Sequence, residues 1–137
     1  MRVLALDYGS ARCGCALCDP TETVVTPLDP VARAGTHAGL ARITALVRER
    51  EAERVVVGLP LSLDGGDSAQ TVEARDFAAR LAEAIAPVPV EMHDERLTTR
   101  LAQRAPGRAS EHSRAAAHLL EGWLAARSAG DRGGGQE

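Results

Sequence analysis

Arg2-Val3-Leu4-Ala5-Leu6-Asp7-Tyr8-Gly9-Ser10 is the stretch whose reading decides the fold. Arg2 to Leu6 is a continuous apolar run. Such runs belong to strands covered on both faces rather than strands with one face in water. Tyr8-Gly9-Ser10 has turn chemistry. Two further strand-like segments follow, Cys13 to Cys18 and Thr23 to Val31, separated by the turn Asp19-Pro20-Thr21-Glu22. Three successive strands with short links imply an antiparallel meander.

Downstream the pattern changes. Leu40, Ile43, Leu46 and Val47 recur at helical spacing, predicting a helix from about Thr36 to Arg50. Arg54-Val55-Val56-Val57-Gly58 reads as a short buried strand, followed by a Pro- and Gly-rich loop from Leu59 to Gly66. Asp67 or Ser68 caps a second helix, whose inner face is Ala74, Phe77, Ala78, Leu81 and Ile85. Val88 to Met92 is the fifth strand. Pro87 and Pro89 at its entry suit a strand start or a sheet edge. After Glu95 the pattern is helical to about Ala105, breaks at Pro106-Gly107, and resumes near Ser110 with Ala116, Leu119, Leu120, Trp123 and Leu124 on one face. The expected order is β-β-β-α-β-α-β-α-α. That is an α/β domain with a five-stranded mixed sheet, an antiparallel meander followed by parallel strands, flanked by helices. It spans residues 1–127, and 128–137 is expected to be a flexible tail.

Composition narrows the function. At 137 residues the chain is one domain, able to bury about two-thirds of its unfolded surface. Tyr8, Phe77 and Trp123 are its only large aromatics, so base stacking on aromatic platforms, the usual device for gripping single strands, is nearly ruled out. The net charge of −3 gives no overall field to attract a polyanion. All sixteen basic residues are Arg. Cys13, Cys15 and Cys18 are an odd set without a partner Cys or His at zinc spacing, and read as small buried strand residues in a reducing cytoplasm. The first apolar run is too short for a signal peptide or membrane span, so no membrane role is expected.

The chemistry lies in acids at strand ends. Asp7 closes the first strand and is followed by a turn, where ligand sites of open α/β sheets gather. Asp94-Glu95 follows the fifth strand. If that strand neighbours the one ending at Gly58, Glu95 shares a rim with Asp7. Two close carboxylates repel, and a divalent cation removes the penalty; hard oxygen ligands suit magnesium or manganese. Arg96, Arg100 and Arg104 are spaced by four and form one helical stripe. With Arg108 and Arg114 they set five Arg against the single acid Glu111, a local excess suited to gripping phosphates. The loop Gly58-Leu59-Pro60-Leu61 leads to a helix start but lacks the Gly-Lys-Ser/Thr of a Walker loop.

Taken together, Leu6-Asp7-Tyr8-Gly9-Ser10-Ala11-Arg12-Cys13-Gly14, Val56-Val57-Gly58-Leu59-Pro60-Leu61, Gly65 to Phe77, Asp94 to Thr99, Ala115-Ala116 and Leu119-Leu120 resemble the YqgF family of pre-16S ribosomal RNA nucleases, also described as Holliday-junction-resolvase-like. The resemblance covers nearly the whole chain to about Arg127. It implies an RNase-H-like fold, a cytoplasmic location and metal-dependent phosphodiester cleavage, in processing the 5′ end of pre-16S rRNA during ribosome biogenesis. It carries Asp7 and Glu95 over as metal-binding, catalytic acids. Arg12, Thr98 and Thr99 come over as residues near the scissile strand, and Gly9, Arg96 and Arg100 join them as substrate contacts. The expected partner is structured RNA or branched DNA, with the protein a monomer or homodimer.

One position departs from the family pattern. The family has an Asp opening the last helix, and counting back from Ala115-Ala116 puts His112 there. One turn before Ala116, His112 is expected on the face packed against the sheet, pointing toward the site. Glu111 lies about 100° away around the helix. Three arrangements stay open: His112 as a third metal ligand, tilting preference toward manganese; Glu111 in its place after a small rotation; or an impaired site on a protein retained for nucleic-acid binding. A fragment of the actin-like ATPase or sugar-kinase superfamily also opens with Asp-x-Gly on a strand, but needs a second domain for which this length leaves no room.

Overall fold

The computed structural model describes residues 1–59, 68–94 and 111–134, with side chains to 128. Its elements run β1 (Val3–Asp7), β2 (Arg12–Cys18), β3 (Val25–Ala32), α1 (His37–Glu49), β4 (Arg54–Leu59), α2 (Ala69–Ile85), β5 (Val90–Asp94) and α3 (Glu111–Gly134). The strands form one sheet in the order β3-β2-β1-β4-β5. The meander β1-β2-β3 is antiparallel, and β1, β4 and β5 are parallel to one another. All three parallel strands therefore end on one rim, which begins at Asp7.

Alternation along the strands sorts the core into two layers. Leu4, Leu6 and Tyr8 of β1 and its following residue face α1 and α2, with Cys13, Cys15, Val55 and Val57 beside them and Phe77 fully buried above. The Tyr8 and Phe77 rings are tilted with centroids 4.8 Å apart. Val3, Ala5, Ala16, Cys18 and Val56 face the other way, onto Ala116, Leu119, Leu120 and Trp123 of α3. All three cysteines are buried and free. The Cys13 thiol is held well above its ordinary pKa, first by its pairing with Cys15 and then by burial. These are packing residues, as expected.

Local signals place α1 and α2. Thr36 caps α1, its Oγ1 accepting the Gly39 N–H at 3.1 Å. Ser68 and Thr71 exchange side-chain and backbone hydrogen bonds in a capping box at the start of α2. Ser68→Ala is expected to lower stability by about 1 kcal/mol. The measurement is a urea midpoint shifted down at unchanged slope; a changed slope would mean altered compactness instead.

Three expectations need correction. β5 is the edge strand, as its prolines foretold, but it starts and ends two residues later than read. Pro89 contributes its carbonyl to the Val55 N–H, and the parallel ladder then pairs Val55 with Val90 through Leu59 with Asp94. Asp94 is thus the last strand residue rather than one that follows the strand. The last helix extends through Gly134 rather than ending near Arg127. Gly lowers helix propensity by about 1 kcal/mol without blocking propagation, and no Pro follows Pro106 to stop it. The third correction, to His112, concerns the site. The helix expected over 95–105 lies outside the described residues.

Candidate active site

Asp7 is the last residue of the central strand, half-buried, on the rung where β1 pairs with Gly14 of β2. Alternation from Val3 and Ala5 puts its side chain on the α3 face. Among the described residues its carboxylate makes no hydrogen bond or ion pair. A half-buried acid whose lone pairs are unspent among the described residues fits the binding of a hard cation. Leu6 pairs with Val57, so on the neighbouring flank Asp7 comes level with Gly58, which has no side chain.

Gly14 positions α3 over this rung. A Cβ built on it would lie 1.9 Å from the carbonyl oxygen of His112, so helix backbone rests directly on strand backbone. With His112 held by its main chain, its side chain is exposed, and Ser113 takes the buried place. Ser113 Oγ donates to the Leu28 carbonyl and accepts the Cys15 N–H at 3.4 Å. This corrects the expectation that His112 lies on the packed face. Residues 112 and 113 are both neighbours of Ala116 along the helix, and the close approach at Gly14 selects the row through Ser113. His112 remains beside the Asp7 rung through its backbone, at the solvent side of the helix. Glu111 is exposed too.

Of the other expected contacts, Gly9 lies in the tight turn after β1, where a Cβ would come within 2.7 Å of the Arg12 carbonyl. Arg12 opens β2 and is exposed. Glu95, Arg96, Thr98, Thr99 and Arg100 lie outside the described residues, as do Arg104 and Arg108. Among the described residues no three His, Cys, Asp or Glu side chains gather as a metal cage.

One rim residue escaped the sequence reading. His93 pairs with Gly58, two strands from Asp7 on the same face, is only 9% exposed, and its Nε2 has no hydrogen-bond partner. Burial lowers its pKa against the opposing pull of Asp94 and Glu91. Extending the fifth strand through Asp94 would have exposed its position.

On the opposite face Tyr8, 3% exposed, donates to Glu73 Oε1 at 2.8 Å. Burial, then this hydrogen bond, pushes the phenol up to about 12. An unfolded Tyr loses its proton near pH 10, so between about 10 and 12 the folded state holds a proton that the unfolded state has released. Stability contributed by Tyr8 is therefore complete below pH 10 and declines as pH rises toward 12. Urea midpoints across pH 9–12 should fall more steeply for the wild type than for Tyr8→Phe; parallel curves would refute the assignment.

No helix among the described residues is long and apolar enough to cross a membrane. Residues 1–126 match the family model described as RuvX, Holliday junction resolvase. A protein of Anaeromyxobacter sp. strain Fw109-5, named "Putative pre-16S rRNA nuclease", is 44% identical over 138 residues, covering 94% of this chain and all of that one. One of the same name from Mycolicibacterium smegmatis is 42% identical, covering 93% and 82%. A third, from Streptomyces avermitilis, is 48% identical over 98 residues, and the match spans 63% of its length. Among solved structures, Thermus thermophilus RuvC superposes with a TM-score of 0.62 at 17% identity, covering 94% of this chain and 97% of RuvC. Its complex with a Holliday junction substrate superposes equally well, at 0.62 and 19%. The fold is therefore RuvC-like within the RNase-H-like class, and the chain belongs to the RuvX (YqgF) Holliday junction resolvase family.

Proposed function

We propose that this chain is a divalent-metal-dependent nuclease, a hydrolase of phosphodiester bonds, acting in the cytoplasm on the 5′ end of pre-16S rRNA. The observation that carries the reading is the Asp7 carboxylate, without a hydrogen bond or ion pair among the described residues, at the end of the central strand on the rung over which Gly14 seats the start of α3. The relatives named above support the substrate class.

Asp7 and Glu95 are the proposed ligands for magnesium or manganese. His112 is the third position, where a nitrogen donor would favour manganese. When bound, the cation supplies Lewis acidity to the phosphoryl group and neutralises developing charge. The protein's own part is positioning. Asp7 is held by the ladder, the tight turn at Gly9 brings backbone close to the strand, and Arg12, Arg96, Thr98, Thr99 and Arg100 grip sugar and phosphate, giving affinity with little sequence specificity. The enzyme works as a monomer or homodimer.

The test is cleavage of a 5′-extended 16S precursor and of a four-way DNA junction, in magnesium and in manganese, by the wild type, Asp7→Asn and Glu95→Gln. Metal-dependent cutting of the precursor by the wild type alone is the expected result. Preferential cutting of the junction would move the substrate to branched DNA, and binding without turnover in either metal would leave only a nucleic-acid-binding role.

A further inference from the structure

Among the described residues, the buried side-chain nitrogens without a hydrogen-bond partner are Arg54 Nε and His93 Nε2. They belong to different strands, 39 positions apart in the chain, yet both residues line the same cleft of about 420 Å³. Its other walls are Glu91 and Met92 of β5 and Trp123, Ala126 and Arg127 of α3. It runs down the β5 edge on the α3 face, from the rim at His93 to the start of β4. Arg54 precedes Gly58 by four residues, which sets it about 13 Å below the rim.

The cleft is chemically lopsided. Arg54 Nε–H is an obligate donor, and His93 Nε2 is a donor in one tautomer. Each unpaired nitrogen costs free energy that an incoming acceptor would recover. Among the described residues of the wall the one acid is Glu91, engaged by Arg54 through another nitrogen at 3.5 Å. Arg127 is held by Glu22 at 2.8 Å and lies over the Trp123 ring, 5.4 Å from its centroid. Donors in search of an oxyanion therefore stand beside an aromatic ring. The volume is within the range of small-ligand sites.

We propose that this cleft binds a phosphate carrying a planar base, either as a free mononucleotide or as the terminal nucleotide of a nucleic-acid strand. The phosphate takes Arg54 and His93, and the base lies against Trp123. Both nitrogens are shielded from solvent with the side chains as they stand, so binding turns the His93 ring and the Arg54 head toward the ligand. The proposal needs neither a bound metal nor turnover, and stands apart from the nuclease reading.

Trp123 is the only tryptophan of the chain, so its fluorescence reports this cleft directly. The full chain is titrated in EDTA with AMP, adenosine, inorganic phosphate and a 5′-phosphorylated oligoadenylate. A saturable change with AMP, the oligonucleotide or both is expected, with adenosine and Arg54→Met each weaker by about tenfold or more, the loss typical of a charged hydrogen bond. AMP without the oligonucleotide identifies a free-nucleotide site, and the reverse identifies a strand-end site. Should Arg54→Met fail to fold by circular dichroism, His93→Phe carries the same comparison. The proposal is overturned if neither ligand gives a saturable change, if adenosine matches AMP, or if the folded variant binds like the wild type.

Discussion

Asp7→Asn is expected to lower metal-dependent cleavage on the order of 10³-fold while leaving the thermal midpoint within a few degrees of wild type. The substitution keeps the shape of the side chain and removes one charge. The fold does not rely on that charge, since Asp7 has no hydrogen bond or ion pair among the described residues and its strand is held by backbone ladders on both sides. Cation binding does rely on it. Manganese titration by calorimetry should lose affinity in parallel with activity. If Asp7 and Glu95 hold the same ion, the double variant with Glu95→Gln should be scarcely worse than either single one, because groups acting as a unit are not additive. Wild-type cleavage by Asp7→Asn would sink the mechanism, and a large fall in midpoint would reassign Asp7 to structure.

Gly14→Ala is expected to be the most damaging small substitution, costing about 3 kcal/mol, at the upper end for overpacking. The added methyl would meet the His112 carbonyl at 1.9 Å, and that atom is helix backbone. No rotamer change relieves it, so the first turn of α3 must lift. Lifting it strips Ser113 of its bonds to Cys15 and Leu28 and moves the helix away from the Asp7 rung. At this chain length the midpoint should fall by roughly 6–12 °C. Cleavage should fall as well, even at temperatures where the variant is folded. Thermal denaturation with activity measured well below the midpoint separates the two effects. Wild-type stability would mean that α3 does not rest on Gly14.

Wherever the deciding interactions are close in sequence, the chain could be read directly. Thr36 and Ser68 cap their helices through residues three positions on, and the stripes through Ile43 and Phe77 follow from helical period alone. The meander follows from turns too short for a crossover, and Asp7 is at a strand end because the apolar run stops there. Other features depend on partners far away in the chain. The frame of β5 lies two residues from the one its apolar content implies, because its ladder with β4 sets where it begins. His112 was placed on the packed face because residues three and four before Ala116 are equally good neighbours on an isolated helix. A glycine almost a hundred positions away breaks that tie, by admitting the backbone of His112 and turning Ser113 inward. The same reason hid the cleft at Arg54 and His93. Nothing local marks either residue, and only the parallel pairing of β4 with β5 and the packing of α3 bring two unpaired nitrogens and the single tryptophan together. Among the described residues, sequence by itself determined the elements, their order and the acid that ends the central strand, because those rest on period, caps and turns. Tertiary structure alone decided which side chains meet, because that depends on register and close approach between segments that the chain does not connect.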